Sequence, residues 1–339
     1  MPKSGIAAQA LSRRHMIKAA GAVAVGLFAP AVLRVRTALA AYPDRPVKIV
    51  VANSPGGPSD ITARILAAAL QEAMGGSFIV ENKGGAGGNI GMGFAARADA
   101  DGYTLLLITN AYSINPGLYN SLPYDPFKDF TPICDVAGSP NTFTVKPALG
   151  VNTIKEFIAL AKTDPAKFNV ATPPVGTTPQ LQAELLKLRE DLQGMAGIVF
   201  TGGGEAIKAL LSDTVQLSSG SLPPAQPHIK AGTIKCLVVT GKTRWPDLPD
   251  VPTMQEEGFK DFVFATDTAL LAPASTPSEI VRRLEKESLA ILGRPDIREK
   301  LFTAGFQVHA TDGKTCSERL AKEVTMFREI IIQAGIKKL

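Results

Sequence analysis

Val47-Lys48-Ile49-Val50-Val51-Ala52 is a short β-branched run that passes straight into Asn53-Ser54-Pro55-Gly56-Gly57-Pro58. Behind that loop, Ile61, Ile65, Leu66 and Ala69 recur at helical spacing. A strand that feeds a helix so directly must find a parallel neighbour, and the unit recurs along the chain. Strand patterns are expected at Phe78-Ile79-Val80, Thr104–Ile108, Phe168–Ala171, Gly197–Phe200, Val215–Ser218 and Lys235–Val239. This is the pattern of an α/β fold with largely parallel sheets. Ser59 or Asp60 can cap the first helix. Thr153 with Glu156 and Thr276-Pro277-Ser278-Glu279 are capping boxes, the second with proline at the first helical position. The first box opens a helix through Ala161, and helical patterns cover Glu279–Leu292 and Ser317–Ala334.

The chain crosses into a second unit around Phe143-Thr144-Val145 and returns along a long extended run, Phe262 to Leu271, before Pro273. One unit, then another, then a long return predicts two lobes joined by crossing strands. Residues 41–143 and 268–339 would form lobe 1, and 144–267 lobe 2.

Residues 1–40 read as an export leader rather than as part of the fold. Lys3, Arg13, Arg14 and Lys18 give a basic start, Ala19 to Ala31 a small-residue apolar run, and Ala38-Leu39-Ala40 a cleavage site before Ala41. The apolar run is shorter than the roughly 20 residues of a membrane span. Ser12-Arg13-Arg14-His15-Met16-Ile17-Lys18 resembles the twin-arginine signal pattern; the alternative is an ordinary leader that happens to carry two arginines. The formal charge of +5 comes from 36 basic and 31 acidic residues, and six of the basic ones lie in this segment. The mature chain keeps 30 against 31, a net of −1, which offers no footprint for nucleic acid. Cys134, Cys236 and Cys316 are too few and too scattered for a disulfide framework; they are either three buried thiols or one bridge and a free thiol.

In open α/β sheets, ligands lie beyond the carboxyl ends of strands. The loop Asn53 to Asp60 combines adjacent glycines with a helix start, which suits a carboxylate or phosphate, or is simply a tight turn. Glu81 to Gly91 is a second glycine-rich loop that matches neither a P-loop nor a dinucleotide fingerprint; it is expected to pack beside the first. Thr172-Pro173-Pro174-Val175-Gly176-Thr177-Thr178 and Thr201-Gly202-Gly203-Gly204-Glu205 repeat the arrangement in the second unit.

Several segments together carry a resemblance. They are Pro55-Gly56-Gly57-x-x-Asp60-x-x-Ala63-Arg64, Glu81-Asn82-Lys83-x-Gly85-Ala86-Gly87-Gly88-Asn89-Ile90-Gly91, Asp101-Gly102-Tyr103-Thr104, Ile114-Asn115-Pro116-x-Leu118-Tyr119, Leu122-Pro123-Tyr124-Asp125-Pro126, Pro227-His228-Ile229-Lys230-Ala231-Gly232 and Leu248-Pro249-Asp250-Val251-Pro252-Thr253. The mature chain closely resembles the Bug (TctC-type) receptors, the extracytoplasmic solute-binding proteins of tripartite tricarboxylate transporters. The resemblance implies a two-lobed periplasmic-binding-protein fold of type II, a Venus flytrap with two crossing strands as hinge. It implies a monomer that closes on a small organic acid and docks on membrane permease subunits; a sensor passing its signal to another membrane partner is the alternative. Carried over by position, the first grip maps to Ser54, Pro55, Gly56, Gly57 and Asp60, with Thr109 and Tyr112 in the next loop facing the cleft. The second grip maps to Thr172, Gly176, Thr177 and Thr178, and Gln180 stands where the family usually has histidine.

Other departures bear on the ligand. Gly203, within Thr201-Gly202-Gly203-Gly204, lies where a tyrosine- and lysine-containing stretch is usual, and Ser221, within Ser219-Gly220-Ser221, where an aromatic residue and an aspartate are usual. Asp267 replaces a common tryptophan on the crossing strand; it either faces the pocket and repels a second ligand carboxylate, or faces solvent at the hinge. A ligand with at least one carboxylate and a far end that is not strongly acidic is expected, with an aromatic or extended monoacid as the candidate. An enzyme is disfavoured: His228 and His309 are the only mature histidines, and neither belongs to a nucleophile or metal motif. His228 reads as a helix-packing or capping residue. No loop supplies a cofactor site.

Overall fold

Valine and isoleucine at Val47, Ile49, Val50 and Val51 are fully buried in strand β1 (Val47–Val51), which lies between two parallel neighbours. The computed structural model describes Met1 and residues 42–339; the leader, its twin-arginine pattern and the Ala40/Ala41 cleavage site lie outside the described residues. Helix α1 (Pro58–Met74) follows, then β2 (Phe78–Asn82), α2 (Asn89–Ala96), β3 (Thr104–Ile108) and α3 (Ala111–Leu118). Strand β4 (Phe130–Val145) leads to α4 (Ile154–Thr163), β5 (Asn169–Thr172), α5 (Thr178–Arg189), β6 (Ala196–Val199) and α6 (Gly203–Leu211). Then come β7 (Leu217–Ser221), α7 (Leu222–Lys230) and β8 (Lys235–Val239). The chain returns through β9 (Ala265–Pro273) and ends with α8 (Ser278–Gly293), α9 (Pro295–Thr303), β10 (Gln307–Asp312) and α10 (Gly313–Gln333).

The strands run in the order β2-β1-β3-β9-β4-β7-β5-β6, with β8 and β10 also on β4. Among the named strands, parallel pairing joins β2-β1-β3 on one side and β7-β5-β6 on the other. Every contact of β4 is antiparallel, as is that of β9 with β3, so the sheet is mixed rather than largely parallel. Strand β4 is shared: residues up to Pro140 pair with β9 and β10, whereas Asn141 to Val145 pair with β7 and β8. One sixteen-residue strand thus belongs to both halves of the sheet.

Local chemistry explains most boundaries. Thr153 Oγ1 accepts from Glu156 N at 3.1 Å, the first half of the expected capping box; the Glu156 carboxylate accepts from Asn152 N at 2.6 Å, one residue before the cap, rather than from Thr153 N. The other expected caps are corrected. Helix α1 is capped by Gly57, not by Ser59 or Asp60, which lie inside its first turn because Pro58 already has helical geometry. Helix α8 begins at Ser278 with Pro277 as its cap, so Thr276 lies one position too early to form the box. The return strand begins at Ala265 rather than Phe262: Asp261 takes a left-handed φ of 58°, and Phe262 turns into the core against Phe143 and Phe264. Helix α9 and strand β10 were not anticipated; β10 carries alternating polar residues and finds its place only by pairing with β4.

The cores follow the sheet halves, with one exception that matters below. Tyr112, Tyr124, Phe130, Leu271 and Leu320 pack on the β1–β3 side. The cluster around Phe143, Phe157, Leu181 and Phe262 fills the β5–β7 side, yet also takes in Ile114 and Leu118 of α3 and Phe327 and Ile331 of α10. Cys134, Cys236 and Cys316 are buried free thiols.

Candidate functional site: the loops at the strand ends

The first loop is knitted by its own side chains. Asp60, 4% exposed, accepts from Gly56 N at 2.9 Å and from Arg64 Nε at 3.0 Å, and its other oxygen lies 2.9 Å from the Arg64 guanidinium. Burial alone would raise the Asp60 carboxyl, but the Arg64 hydrogen bond, the Gly56 N–H and Asn82 outweigh it and hold it below the ordinary 3.8. Ser59 donates to Asn53 Oδ1 at 2.9 Å, and Asn82 donates to the Asn53 carbonyl at 3.2 Å. Asp60 and the Gly56 N–H are therefore committed to loop shape. Ser54 is half-buried, while Pro55 and Gly56 are exposed beside the start of α1. The left-handed φ of 78° at Gly56 is one that a side chain would disfavour.

The second glycine-rich loop packs beside the first, as expected. A Cβ on Gly84 would lie 3.3 Å from Ser54 N, and one on Gly91 only 2.6 Å from Lys83 O and 2.8 Å from Ala52 Cα. At the far end of the same loop, a Cβ on Gly87 would lie 3.0 Å from the Val175 carbonyl oxygen. One turn thus touches Ser54 of the first grip and Val175 of the second.

On the second side, Gly176 has φ 88°, and Thr177 donates to Pro174 O at 2.9 Å. Thr172 is buried, with its carbonyl accepting from Phe200 N at 2.9 Å. Thr178 belongs to a closed ring of hydrogen bonds. Asn141 Nδ2 donates to Thr178 Oγ1 at 3.1 Å, Thr178 Oγ1 meets Thr266 Oγ1 at 3.1 Å, and Thr266 donates to Asn141 Oδ1 at 2.7 Å. That ring ties the start of α5 to both crossing strands and occupies the Thr178 hydroxyl. Gln180 is buried in the first turn of α5, and Ser221 is buried at the start of α7, paired in register with Asn141.

Three expected site residues sit elsewhere than anticipated. Tyr112 does not face the cleft: it is 2% exposed, packs on Tyr124 and Phe130, and its hydroxyl donates to Pro126 O. Burial pushes its phenol far above the ordinary range. Gly203 is explained by packing, because a Cβ there would come to 2.7 Å from Pro224 Cγ. Asp267 neither faces a ligand unpaired nor points free into solvent: its Oδ1 lies 2.9 Å from His309 Nε2 on β10, and its N–H donates to Asn110 Oδ1 at 2.8 Å. Burial would raise its carboxyl, but His309 and Arg319 outweigh that and hold it below the ordinary value. Thr109, half-buried, accepts from Ala111 N at 3.4 Å at the end of β3.

Asn110 joins this region to a buried charge cluster. Its Nδ2 donates to Glu323 Oε2 at 3.4 Å; Glu323 pairs with Arg319, and Arg319 holds Asp135 of β4 through Nε at 3.1 Å and through the fork at 2.5 Å. Burial raises the Glu323 carboxyl despite the Arg319 contact. Among the described residues, no group of three His, Cys, Asp or Glu side chains is placed to hold a metal ion. Sequence reasoning missed Asn110, Asn115, Asn141 and Thr266. Asn141 and Thr266 carried little signal, since other polar residues flank them, Ser139 and Thr142 in β4 and Asp267 and Thr268 in β9.

Residues 62–336 match the family model described as "Tripartite tricarboxylate transporter family receptor". The chain is 31% identical to Protein BugT of Bordetella pertussis over 87% of this chain and 91% of that one. It is 32% identical to a UPF0065 protein of Agrobacterium vitis, over 92% and 91%. Among solved structures, the periplasmic binding protein BugD superposes with a TM-score of 0.83 at 33% identity, over 88% of this chain and 100% of that one. Rpa4515 of R. palustris with adipate gives 0.84 at 31%, over 88% and 100%, and MatC of Rhodopseudomonas palustris with bound malate gives 0.80 at 28%, over 86% and 100%.

Proposed function

The chain belongs to the tripartite tricarboxylate transporter receptor family, and from that premise we propose that it captures a small carboxylate between the two halves of its sheet and delivers it to the membrane subunits of such a transporter. Family members and structural neighbours are periplasmic binding proteins and not enzymes, so the expected product of the site is an occupied, closed receptor. Export by the twin-arginine route, a monomeric state, and lobes of 41–143 with 268–339 and 144–267 belong to the same proposal.

The observation that carries it is the loop Lys83 to Gly88, which touches Ser54 at Gly84 and Val175 at Gly87. The Ser54–Gly57 turn and the Pro173–Thr178 turn, each at the start of a helix, thereby both lie against one loop, which supports reading them as two sides of one site. Helix starts present unpaired N–H groups and partial positive charge, which suits one carboxylate. The cations beside these loops are already committed, Arg64 to Asp60 and Lys83 to Glu81 at 2.6 Å. A second carboxylate would thus find both of these cations already paired and would rely on main-chain dipoles. This favours a ligand with one acidic end and a neutral, extended or aromatic remainder. The adipate and malate of the neighbouring proteins set the size range.

Thermal unfolding of the mature protein with benzoate, hexanoate, adipate, malate and citrate is the direct test. A rise in melting temperature with benzoate or hexanoate is expected. Stabilisation by citrate alone would sink the ligand assignment.

A further inference from the structure

Asn115 lies in α3, in the half of the sheet that holds the first grip, and is fully buried. Its amide orientation is fixed by its donors: Nδ2 donates to Gly87 O at 3.0 Å and to Asn89 Oδ1 at 2.7 Å. The carbonyl therefore points the other way, at Gly176 of the second grip, where a Cβ would come within 2.7 Å of Asn115 Oδ1 and 3.3 Å of Leu118 Cδ2. Gly87, held by the same amide, meets Val175 of that grip and is backed by Tyr119, whose hydroxyl would lie 2.8 Å from a Gly87 Cβ. Both glycines have left-handed φ, 64° at Gly87 and 88° at Gly176. The Val175–Gly176 segment is thus seated in a notch made by Gly87, Asn115, Leu118 and Tyr119, all from the other half. The second-half core also takes in Ile114 and Leu118 of this helix, so the seat is continuous with packed apolar side chains.

We infer that Asn115 is a positioning residue that sets the closed geometry of the binding site: one amide fixes the turn beside the first grip and the face on which the second grip comes to rest. It makes contacts available only when the halves meet, and such contacts bias a two-state equilibrium toward the closed form. Glycine at 87 and 176 is then a condition of closure, since a methyl group at either position would hold the segment off its seat. This rests on the reading of a receptor that closes on its ligand, but it concerns the closing surface and not the identity of what is bound.

The test uses the mature chain with spin labels at Glu72→Cys and Lys208→Cys, exposed positions on α1 and α6; the native thiols are buried. Distances are measured without added ligand and with adipate. Three variants are compared with the parent: Asn115→Asp, which turns both donors into an acceptor facing Gly87 O and Asn89 Oδ1, Gly87→Ala, and Gly87→Ala in a Tyr119→Phe background. The last relieves the clash within the first half and leaves the one with Val175. The expected result is a loss of the shortest distance population in all three, with circular dichroism unchanged and faster release of adipate. Should one variant fail to fold, the other substitution reads the same contact, and the Tyr119→Phe background protects the glycine variant. Parent-like distance distributions in the folded variants would overturn the inference. If the parent fails to bind adipate but the variants still lose the short distance, the positioning role stands and the ligand assignment falls.

Discussion

Asp267 Oδ1 and His309 Nε2 meet 2.9 Å apart directly over Gly138. The three residues come from β9, β10 and β4; of these, β4 and β9 carry the chain between the halves of the sheet, and β10 pairs with β4. A Cβ on Gly138 would lie 2.2 Å from the carboxylate oxygen and 2.3 Å from the imidazole nitrogen, so the bridge and a side chain exclude each other. Gly138→Ala should therefore cost about 3 kcal/mol, the upper end of overpacking penalties. In an Asp267→Ala/His309→Ala background the same change should cost less than half as much, because the clashing atoms are gone. Urea denaturation of the four proteins measures both; equal penalties in the two backgrounds would remove the bridge from the explanation.

The same carboxylate has a pH signature. Its folded value is depressed below the ordinary 3.8, so the folded state binds its proton more weakly than the unfolded chain does. The stabilisation is complete above 3.8 and is lost as pH falls through the lowered folded value. The urea midpoint of the parent should fall more steeply below pH 4 than that of Asp267→Asn. Superimposable profiles would assign the acid sensitivity to other carboxylates, Asp60 among them.

Asp60 anchors the Asn53–Asp60 loop through Gly56 N and Arg64. Losing its charge leaves the Gly56 N–H with a weaker partner and Arg64 with only Asn82 Oδ1 at 3.3 Å, and hydrogen bonds to charged groups are worth about 1.5–3 kcal/mol. Arg64 is more than half exposed at 56%, which places the expected loss for Asp60→Asn at the low end. Affinity for the best-stabilising carboxylate should fall about tenfold, or ~1.4 kcal/mol, as the loop loosens. Calorimetric titration decides this; unchanged affinity with lowered stability would separate the loop's fold from its binding role.

Arg319 neutralises Asp135, 2% exposed, and Glu323, 9% exposed. Arg319→Met leaves two buried carboxylates without a cation, and breaking a buried pair in this way costs about 3–5 kcal/mol. Arg319→Lys should not restore it, because the fork on Asp135 needs two nitrogens in a plane. Chemical denaturation of both variants is the check, and a Lys variant as stable as the parent would contradict the geometry.

The fold was legible wherever local chemistry decides it. Lys235–Val239 and Thr104–Ile108 form the expected strands because β-branched and leucine side chains fill both faces of a short buried run. The glycine loops were legible as loops, and their residue pattern pointed to the strand ends. What escaped were relationships set by distant pairing. Tyr112 follows Thr109 by three residues, yet the first turn of α3 rotates it into the aromatic cluster while Thr109 stays at the strand end. His309 finds Asp267 across 42 residues, and nothing near either residue announces the other. The sixteen-residue β4 was hard to read because Pro132, Pro140, Gly138 and Asn141 interrupt its pattern; two register shifts against β9 absorb that irregularity.

The ring of Asn141, Thr178 and Thr266 joins strands 125 residues apart and is the most local test of how the crossing strands are fixed. Each member gives one hydrogen bond and takes one, and all three are buried, so no water replaces a lost partner. Thr266→Val keeps the shape but leaves Asn141 Oδ1 without its donor and the Thr178 hydroxyl without its acceptor. A buried polar group stripped of its partner costs about 1–3 kcal/mol. Thr266→Ser retains the hydroxyl and loses only a methyl group, so it should recover most of that difference. Stability by urea denaturation should thus rank the parent first, the serine variant close behind and the valine variant last. A valine variant as stable as the serine one would mean that shape, and not the ring, holds α5 to the crossing strands.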